Sequence, residues 1–174
     1  LFSNQITLLE IEFLVTQNFN EILNYSLVPE SAVKNLQLVD FPENSPIKLA
    51  NPISEELGTL RTTMAHSLFN NIAYNIKRNN HNFKTMEAGR VYLAKELPLK
   101  EQPIEKNMFA FASVCSSDDF FTFKGLVEIL LKEFNVKYTL EYSTRPYLHP
   151  GISADVKLEN GVVLASFGKV HPKV

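Results

Sequence analysis

The sequence predicts an α+β fold, a mostly antiparallel sheet flanked by helices. Three observations carry that reading. Residues 65–77 and 122–134 repeat apolar side chains at helical spacing. Around them lie short segments of strand length, either alternating or continuously apolar. Near the C-terminal end, Asn160-Gly161 separates residues 154–159 from 162–167, the pattern of a tight β-hairpin.

The elements follow in chain order. Residues 5–17 predict a helix with Ile6, Leu9 and Phe13 on one side and Leu8, Ile11 and Val15 on another. That apolar surface is wider than one core-facing stripe, so the helix is buried on two sides or partly reserved for a partner. Asn18 and Asn20 break it. Residues 21–28 predict a strand, with Ile22, Asn24 and Ser26 alternating against Leu23, Tyr25 and Leu27. Pro29 stops the strand and suits the first turn of a short helix reaching Leu36. Pro42, Pro46 and Pro52 punctuate the next stretch, which holds a short strand over 47–49. In the helix over 65–77 the stripe is Ala65, Leu68, Phe69, Ile72, Ala73 and Ile76. Lys77 and Arg78 fall at its end, where positive charge suits the helix dipole.

Residues 85–94 predict a strand. Residues 97–105 form a polar, Pro-containing connector, the candidate subdomain boundary within one domain over 1–174. Residues 107–114 are a nearly continuous apolar run and predict a buried strand. Thr122 can cap the next helix, whose stripe is Phe123, Leu126, Val127, Leu130, Leu131 and Phe134. A strand over 136–142 follows. In the final hairpin, Asn-Gly favours a two-residue type I′ turn.

Composition narrows the function classes. The 174 residues are 45% hydrophobic and 21% charged, which excludes intrinsic disorder. A net charge of −2 weighs against gripping nucleic acid by bulk electrostatics. No apolar run approaches the roughly 20 residues of a membrane helix, and no basic-then-apolar leader opens the chain. A single cysteine, Cys115, excludes an internal disulfide framework and a cysteine-based zinc site, and it fits a reducing, cytoplasmic setting. The chain opens on Leu1 rather than Met, so a fragment of something longer is expected.

Familiar enzyme motifs are missing: no Gly-rich phosphate loop, no G-x-S-x-G and no H-E-x-x-H. His66, His81, His149 and His171 lack zinc-ligand spacing, and His149-Pro150-Gly151 and His171-Pro172 read as turn-forming segments. Lys77-Arg78-Asn79-Asn80-His81, with Phe83 and Lys84, is either an RNA-phosphate contact or a solvated helix end. Asn24-Tyr25-Ser26 matches the glycosylation pattern but falls inside a predicted strand and reads as chance. Arg61, Glu87 and Arg90 are charges in otherwise apolar surroundings, where an unpaired charge costs several kcal/mol. They form a ligand clamp or an internal salt bridge.

The same segments carry a family resemblance. In order they are Phe19-Asn20-Glu21-Ile22 running into Tyr25-Ser26-Leu27-Val28; Leu49-Ala50-Asn51-Pro52-Ile53-Ser54 with Glu56; Leu60-Arg61-Thr62; Asn75 and Arg78; Glu87-Ala88-Gly89-Arg90-Val91; Phe120-Phe121-Thr122-Phe123-Lys124-Gly125; His149-Pro150-Gly151; and Gly168-Lys169-Val170-His171-Pro172. This series resembles the catalytic-like core of the bacterial phenylalanyl-tRNA synthetase beta subunit, over nearly the whole chain. The resemblance implies a class II aminoacyl-tRNA synthetase core-like fold. It implies that residues 5–28 correspond to that class's first motif, used for subunit association, which accounts for the over-wide first helix. Ile6, Leu9, Phe13 and Glu21 are the interface residues this suggests. Catalytic relatives often carry a Pro in that motif's strand, and none occurs from Glu21 to Val28.

Residues 87–95 resemble the lead-in to the second motif. Catalytic relatives often read Glu-x-Gly-Arg-Val-Phe-Arg-Asn-Glu there, and the second Arg holds the ATP α-phosphate. Here Leu93 occupies that position and cannot donate a hydrogen bond. Losing such a contact costs on the order of 3 kcal/mol of transition-state stabilisation. The Gly-rich third motif does not occur before Val174. The resemblance therefore implies a domain without catalytic, cofactor-binding or metal-binding residues. ATP and Mg²⁺ are used in the alpha subunit, the beta core supports an (αβ)₂ heterotetramer, and tRNA is met by the holoenzyme. Asn51, Pro52, Arg61, Thr62, Glu87, Gly89, Arg90, His149, Pro150 and Gly151 are the family-motif positions it singles out. Two other readings stay open: a module binding an amino acid or nucleotide on the same fold, and an autonomous ligase, against which Leu93 and the missing third motif count.

Overall fold

The computed structural model describes residues 11–40 and 45–174. The chain divides into two compact units between Cys115 and Ser116. The 97–105 connector lies inside the first unit. Among the described residues no helix is long and apolar enough to cross a membrane.

The first helix is described over residues 11–16 as α1, and Ile6 and Leu9 lie outside the described residues. It ends where Asn18 turns left-handed (φ 64°) and Phe19 donates its N–H to the Leu14 carbonyl at 3.0 Å. Asn tolerates that backbone well, which makes it a natural helix terminator. Leu14 and Phe19 are buried on either side of this turn, so the chain is anchored as it enters the sheet.

The strand expected over 21–28 is instead two short strands in two sheets. β1 (Asn20–Glu21) pairs in parallel with the strand Phe83–Leu93, in the register Asn20↔Thr85. β2 (Leu27–Val28) pairs antiparallel with the strand Thr59–Leu60. Residues 22–26 cross between them, held at one end by Ile22 N–H on the Met86 carbonyl (2.8 Å) and at the other by Arg61 N–H on the Ser26 carbonyl (2.9 Å). Alternation in the sequence satisfies one sheet as well as two, so it carries no sign of the crossing.

α2 (Ser31–Asn35) and β3 (Ile47–Lys48) come next, and a 3-10 turn over Glu55–Leu57 leads into β4 (Thr59–Leu60), which β2 and β3 flank. α3 (Ala65–Ile76) buries His66, Ser67 and Leu68 near its start, whereas Ala73 and Ile76 of the predicted stripe are exposed. At its end Arg78 lies over the Tyr74 ring, 3.3 Å from the centroid, and donates to the Tyr74 carbonyl at 3.1 Å. Positive charge thus meets the carbonyl end of the helix.

β5 (Phe83–Leu93) and β6 (Ile104–Val114) form a long antiparallel hairpin, from Phe83↔Val114 to Leu93↔Ile104. The sequence reads β6 as a buried strand. It is the edge strand of the order β1-β5-β6, exposed over 104–108 and half-buried over 109–114. A continuous apolar run does not distinguish a two-sided burial from an edge.

The second unit holds α4 (Phe120–Glu133) and an antiparallel sheet of β7 (Tyr138–Tyr142), β8 (Leu148–Leu158) and β9 (Val163–Val170) in that order. α4 buries Leu126, Val127, Leu130 and Leu131, and Phe120 stacks on Phe167 of β9 with centroids 5.5 Å apart. The cap is Asp119 rather than Thr122. Its carboxylate accepts the Thr122 backbone N–H (2.8 Å) and hydroxyl (2.9 Å), and these bonds hold the Asp119 carboxyl below its ordinary pKa. The hairpin turn also differs from expectation. Gly161 is left-handed (φ 83°) while Asn160 is not, so a type I′ turn, which needs both, is excluded. The Leu158 carbonyl accepts Gly161 N–H and the Leu158 N–H reaches the Val162 carbonyl, closing a three-residue loop with glycine in the left-handed place. His149-Pro150-Gly151 is not a turn between elements. It sits within β8, where Leu148 pairs Val170 and the next partner pair is Ser153 with Gly168. The surplus residues on β8 make a bulge.

Candidate functional site

The strongest polar constellation lies where the crossing segment meets β4 and β5. Glu87 and Gly89 are two apart on β5 and therefore share a face. Arg61 follows directly on β4, and its backbone is tied on both sides, to Ser26 by its N–H and to Tyr92 N–H by its carbonyl (2.9 Å each). Its side chain then runs across Gly89. Arg61 Nη1 donates to Glu87 Oε1 at 2.8 Å, and Arg61 Nε donates to the Arg90 carbonyl at 2.8 Å. From the crossing segment, Asn24 donates its backbone N–H to Glu87 Oε1 (3.3 Å) and its side-chain Nδ2 to Glu87 Oε2 (2.7 Å). Arg61 and Glu87 are 2% and 0% exposed, so this is an ion pair removed from water. Such a pair survives burial only with its remaining hydrogen-bonding capacity met, and here Asn24 and the Arg90 carbonyl meet much of it.

Gly89 explains itself in this setting. A Cβ there would run into the Arg61 guanidinium and lie 3.0 Å from Met64 Cε. The guanidinium cannot swing aside without losing Glu87.

Within the first unit the other motif side chains do not join this knot. The Arg90 side chain turns outward and pairs with Glu105 across the hairpin at 3.0 Å, both well exposed. Thr62 is buried beside Arg61, whereas Asn51 and Pro52 are exposed ahead of the 3-10 turn. His149, Pro150 and Gly151 belong to the second unit. Phe13 is half-buried on α1 and Glu21 is exposed on β1. The residue missed in the sequence is Asn24. An amide on the inward phase of a strand-like alternation, facing a carboxylate that must be paired, is the signal that could have found it.

Beside the knot lies a shallow depression lined by Val28, Ala32, Thr59, Thr62 and His66, with room for about one water molecule. His66 is buried there and its Nε2 meets Asn70 Nδ2 at 3.0 Å; burial lowers its pKa. Among the described residues no group of three His, Cys, Asp or Glu side chains is placed to hold a metal ion. The constellation is thus a structural tie, with its charged atoms turned onto one another and onto the backbone.

Over residues 9–174 the chain matches the family described as the phenylalanyl tRNA synthetase beta chain CLM domain. The chain belongs to that family. It is 35% identical over 167 residues to the phenylalanine–tRNA ligase beta subunit of Clostridium acetobutylicum, an alignment covering 94% of this chain and 21% of the relative. The same-named subunit of Halalkalibacterium halodurans is 34% identical over 166 residues, covering 88% and 20%. That of Bacillus subtilis is 31% identical over 173 residues, covering 93% and 21%. The chain spans about a fifth of the length of these relatives.

Two substitutions test the tie. Arg61→Ala strands the Glu87 carboxylate and is expected to cost about 3–5 kcal/mol in denaturant unfolding; stability unchanged within error would show that the pair holds nothing together. Gly89→Ala overpacks the same spot and is expected to cost about 1–3 kcal/mol. A neutral Gly89→Ala would mean the guanidinium does not occupy the space above β5.

His66 gives a pH dependence with a definite sign. Its folded pKa lies below the ordinary value of about 6.5, so the unfolded chain takes up the proton first. The stability is complete above that value and is lost as the pH falls through the folded pKa. His66→Gln is expected to flatten the melting-temperature profile on the acid side of about 6.5. An acid limb identical in wild type and variant would remove His66 as its source.

Proposed function

We propose that this chain is a non-catalytic core domain of a phenylalanine–tRNA ligase beta subunit, built on a class II synthetase-like frame. Its role is to support assembly with the catalytic alpha subunit in an (αβ)₂ heterotetramer in the cytoplasm. ATP and Mg²⁺ act in the alpha subunit, and tRNA is charged with phenylalanine by the holoenzyme. The observation that carries this reading, beside the family membership, is the fate of the charged motif. Arg61 donates to Glu87 and to the Arg90 carbonyl, and Glu87 also accepts from Asn24. A pocket for an amino acid or nucleotide would need those groups turned toward a ligand. Leu93, at the end of β5, offers no donor to a phosphate.

The crossing segment supports the assembly role. With Asn24 turned in, its neighbours Leu23 and Tyr25 turn out and are 91% and 76% exposed. Val15 on α1 is exposed as well. Large apolar side chains gathered on one segment and left in water mark an interaction surface.

The test is co-elution of the beta polypeptide with its alpha subunit on a sizing column. Stoichiometric co-elution is expected, weakened at least roughly tenfold by Leu23→Glu with Tyr25→Ala, the scale of losing interface anchors. If the alpha subunit elutes alone although both proteins are folded, the assembly role is wrong. If the double variant binds as wild type, the crossing segment is not the interface.

A further inference from the structure

The second unit brings two His-Pro segments side by side at one end of its sheet. His149-Pro150-Gly151 opens the bulge of β8, and His171-Pro172-Lys173 follows β9, where the His171 N–H continues the pairing onto the Tyr147 carbonyl (2.9 Å). The two imidazoles lie with centroids 6.4 Å apart and planes inclined by 34°. Each makes the same bond. His149 Nδ1 accepts Gly151 N–H and His171 Nδ1 accepts Lys173 N–H, both at 3.1 Å.

That repetition fixes the protons. A neutral imidazole that accepts at Nδ1 carries its hydrogen on Nε2. Both Nε2–H groups are therefore donors, and neither has a partner among the described residues. Both rings are half-buried, so the donors are held at the surface rather than free to sweep through water. Protonated Nε2 atoms do not ligate metals, so the pair suits an acceptor. The charged residues along the two segments, 145–151 and 168–174, are Arg145, Lys169 and Lys173, while the buried Asp155 of β8 lies within electrostatic range of Tyr147.

We propose that His149 and His171 together form a binding site for a phosphate oxyanion, each donating from Nε2, with Lys169 and Lys173 supplying the attraction. The site lies within the second unit and does not depend on the assembly role. The phosphate can belong to a nucleic-acid backbone or to a small phosphate ester.

The test uses ¹⁵N-histidine labelling, with inorganic phosphate and a short RNA hairpin as probes. Both rings are expected as Nε2–H tautomers, with both Nε2 signals shifting together along one phosphate titration curve. His149→Asn and His171→Asn keep the local fold, because an Asn side-chain oxygen accepts the N–H two residues on in the same way. Each replaces the ring Nε2–H by a shorter amide that no longer reaches the ring's Nε2 position, and is expected to weaken binding roughly tenfold, the scale of a hydrogen bond to a charged group. Shifts by RNA at the same nitrogens, competed by phosphate, support a nucleic-acid source; shifts by phosphate alone support a small ester. Nδ1–H tautomers, no shift with either probe, or binding unchanged in the Asn variants would each overturn the site.

Discussion

The first unit depends on one buried ion pair. Arg61 and Glu87 join three pieces of backbone that share no continuous sheet: the crossing segment 22–26, the end of β4, and the middle of β5. Ladder hydrogen bonds hold β1 to β5 and β2 to β4, but each of these pairings is two residues long. Strands that short have little stability alone. The pair supplies what the ladders cannot, a strong directional contact between the two sheets. The same contact fixes which way the crossing segment faces. Asn24 must look inward to reach Glu87, so Leu23 and Tyr25 must look outward. An internal charge therefore shapes an external apolar surface.

A buried pair of this kind gains little net stability over a well-packed apolar core. Its value lies in geometry. Apolar residues at 61 and 87 could fill the volume, but they would not tie the Arg90 carbonyl, the Asn24 amide and the end of β4 to one point. The unit has a definite register where its strands are too short to define one.

Much of the fold is legible in the sequence, and the misses have a common cause. α3, β5, α4 and the final hairpin are each set by local pattern over a stretch long enough to be decisive. What fails is whatever a distant segment decides. Residues 21–28 alternate properly, yet their two ends pair with strands far along the chain. β6 is apolar enough for a buried strand, and only its place at the sheet edge leaves it exposed. Asp119 and Thr122 are both good capping residues; the extended backbone of Asp119 and the helical position of Thr122 settle which accepts and which donates. In the knot, Arg61 and Glu87 stand out because charge in an apolar setting demands a partner. Asn24 does not, since a neutral amide makes no such demand until the carboxylate opposite is known.

The same physics accounts for the Glu87-x-Gly89-Arg90 string without a substrate. Glu87 is required as the counter-charge, Gly89 as the clearance for a guanidinium, and position 90 only for a carbonyl, which leaves its side chain to pair at the surface with Glu105. Each of these demands comes from inside the unit. Position 93 ends β5 opposite Ile104, one residue past Tyr92, whose N–H is held by the Arg61 carbonyl. The architecture of the unit thus accounts for Glu87, Gly89 and the Arg90 carbonyl by contacts that no substrate has to supply. The string is therefore readable as a packing requirement, in which counter-charge, clearance and backbone acceptor are each set by the Arg61 guanidinium.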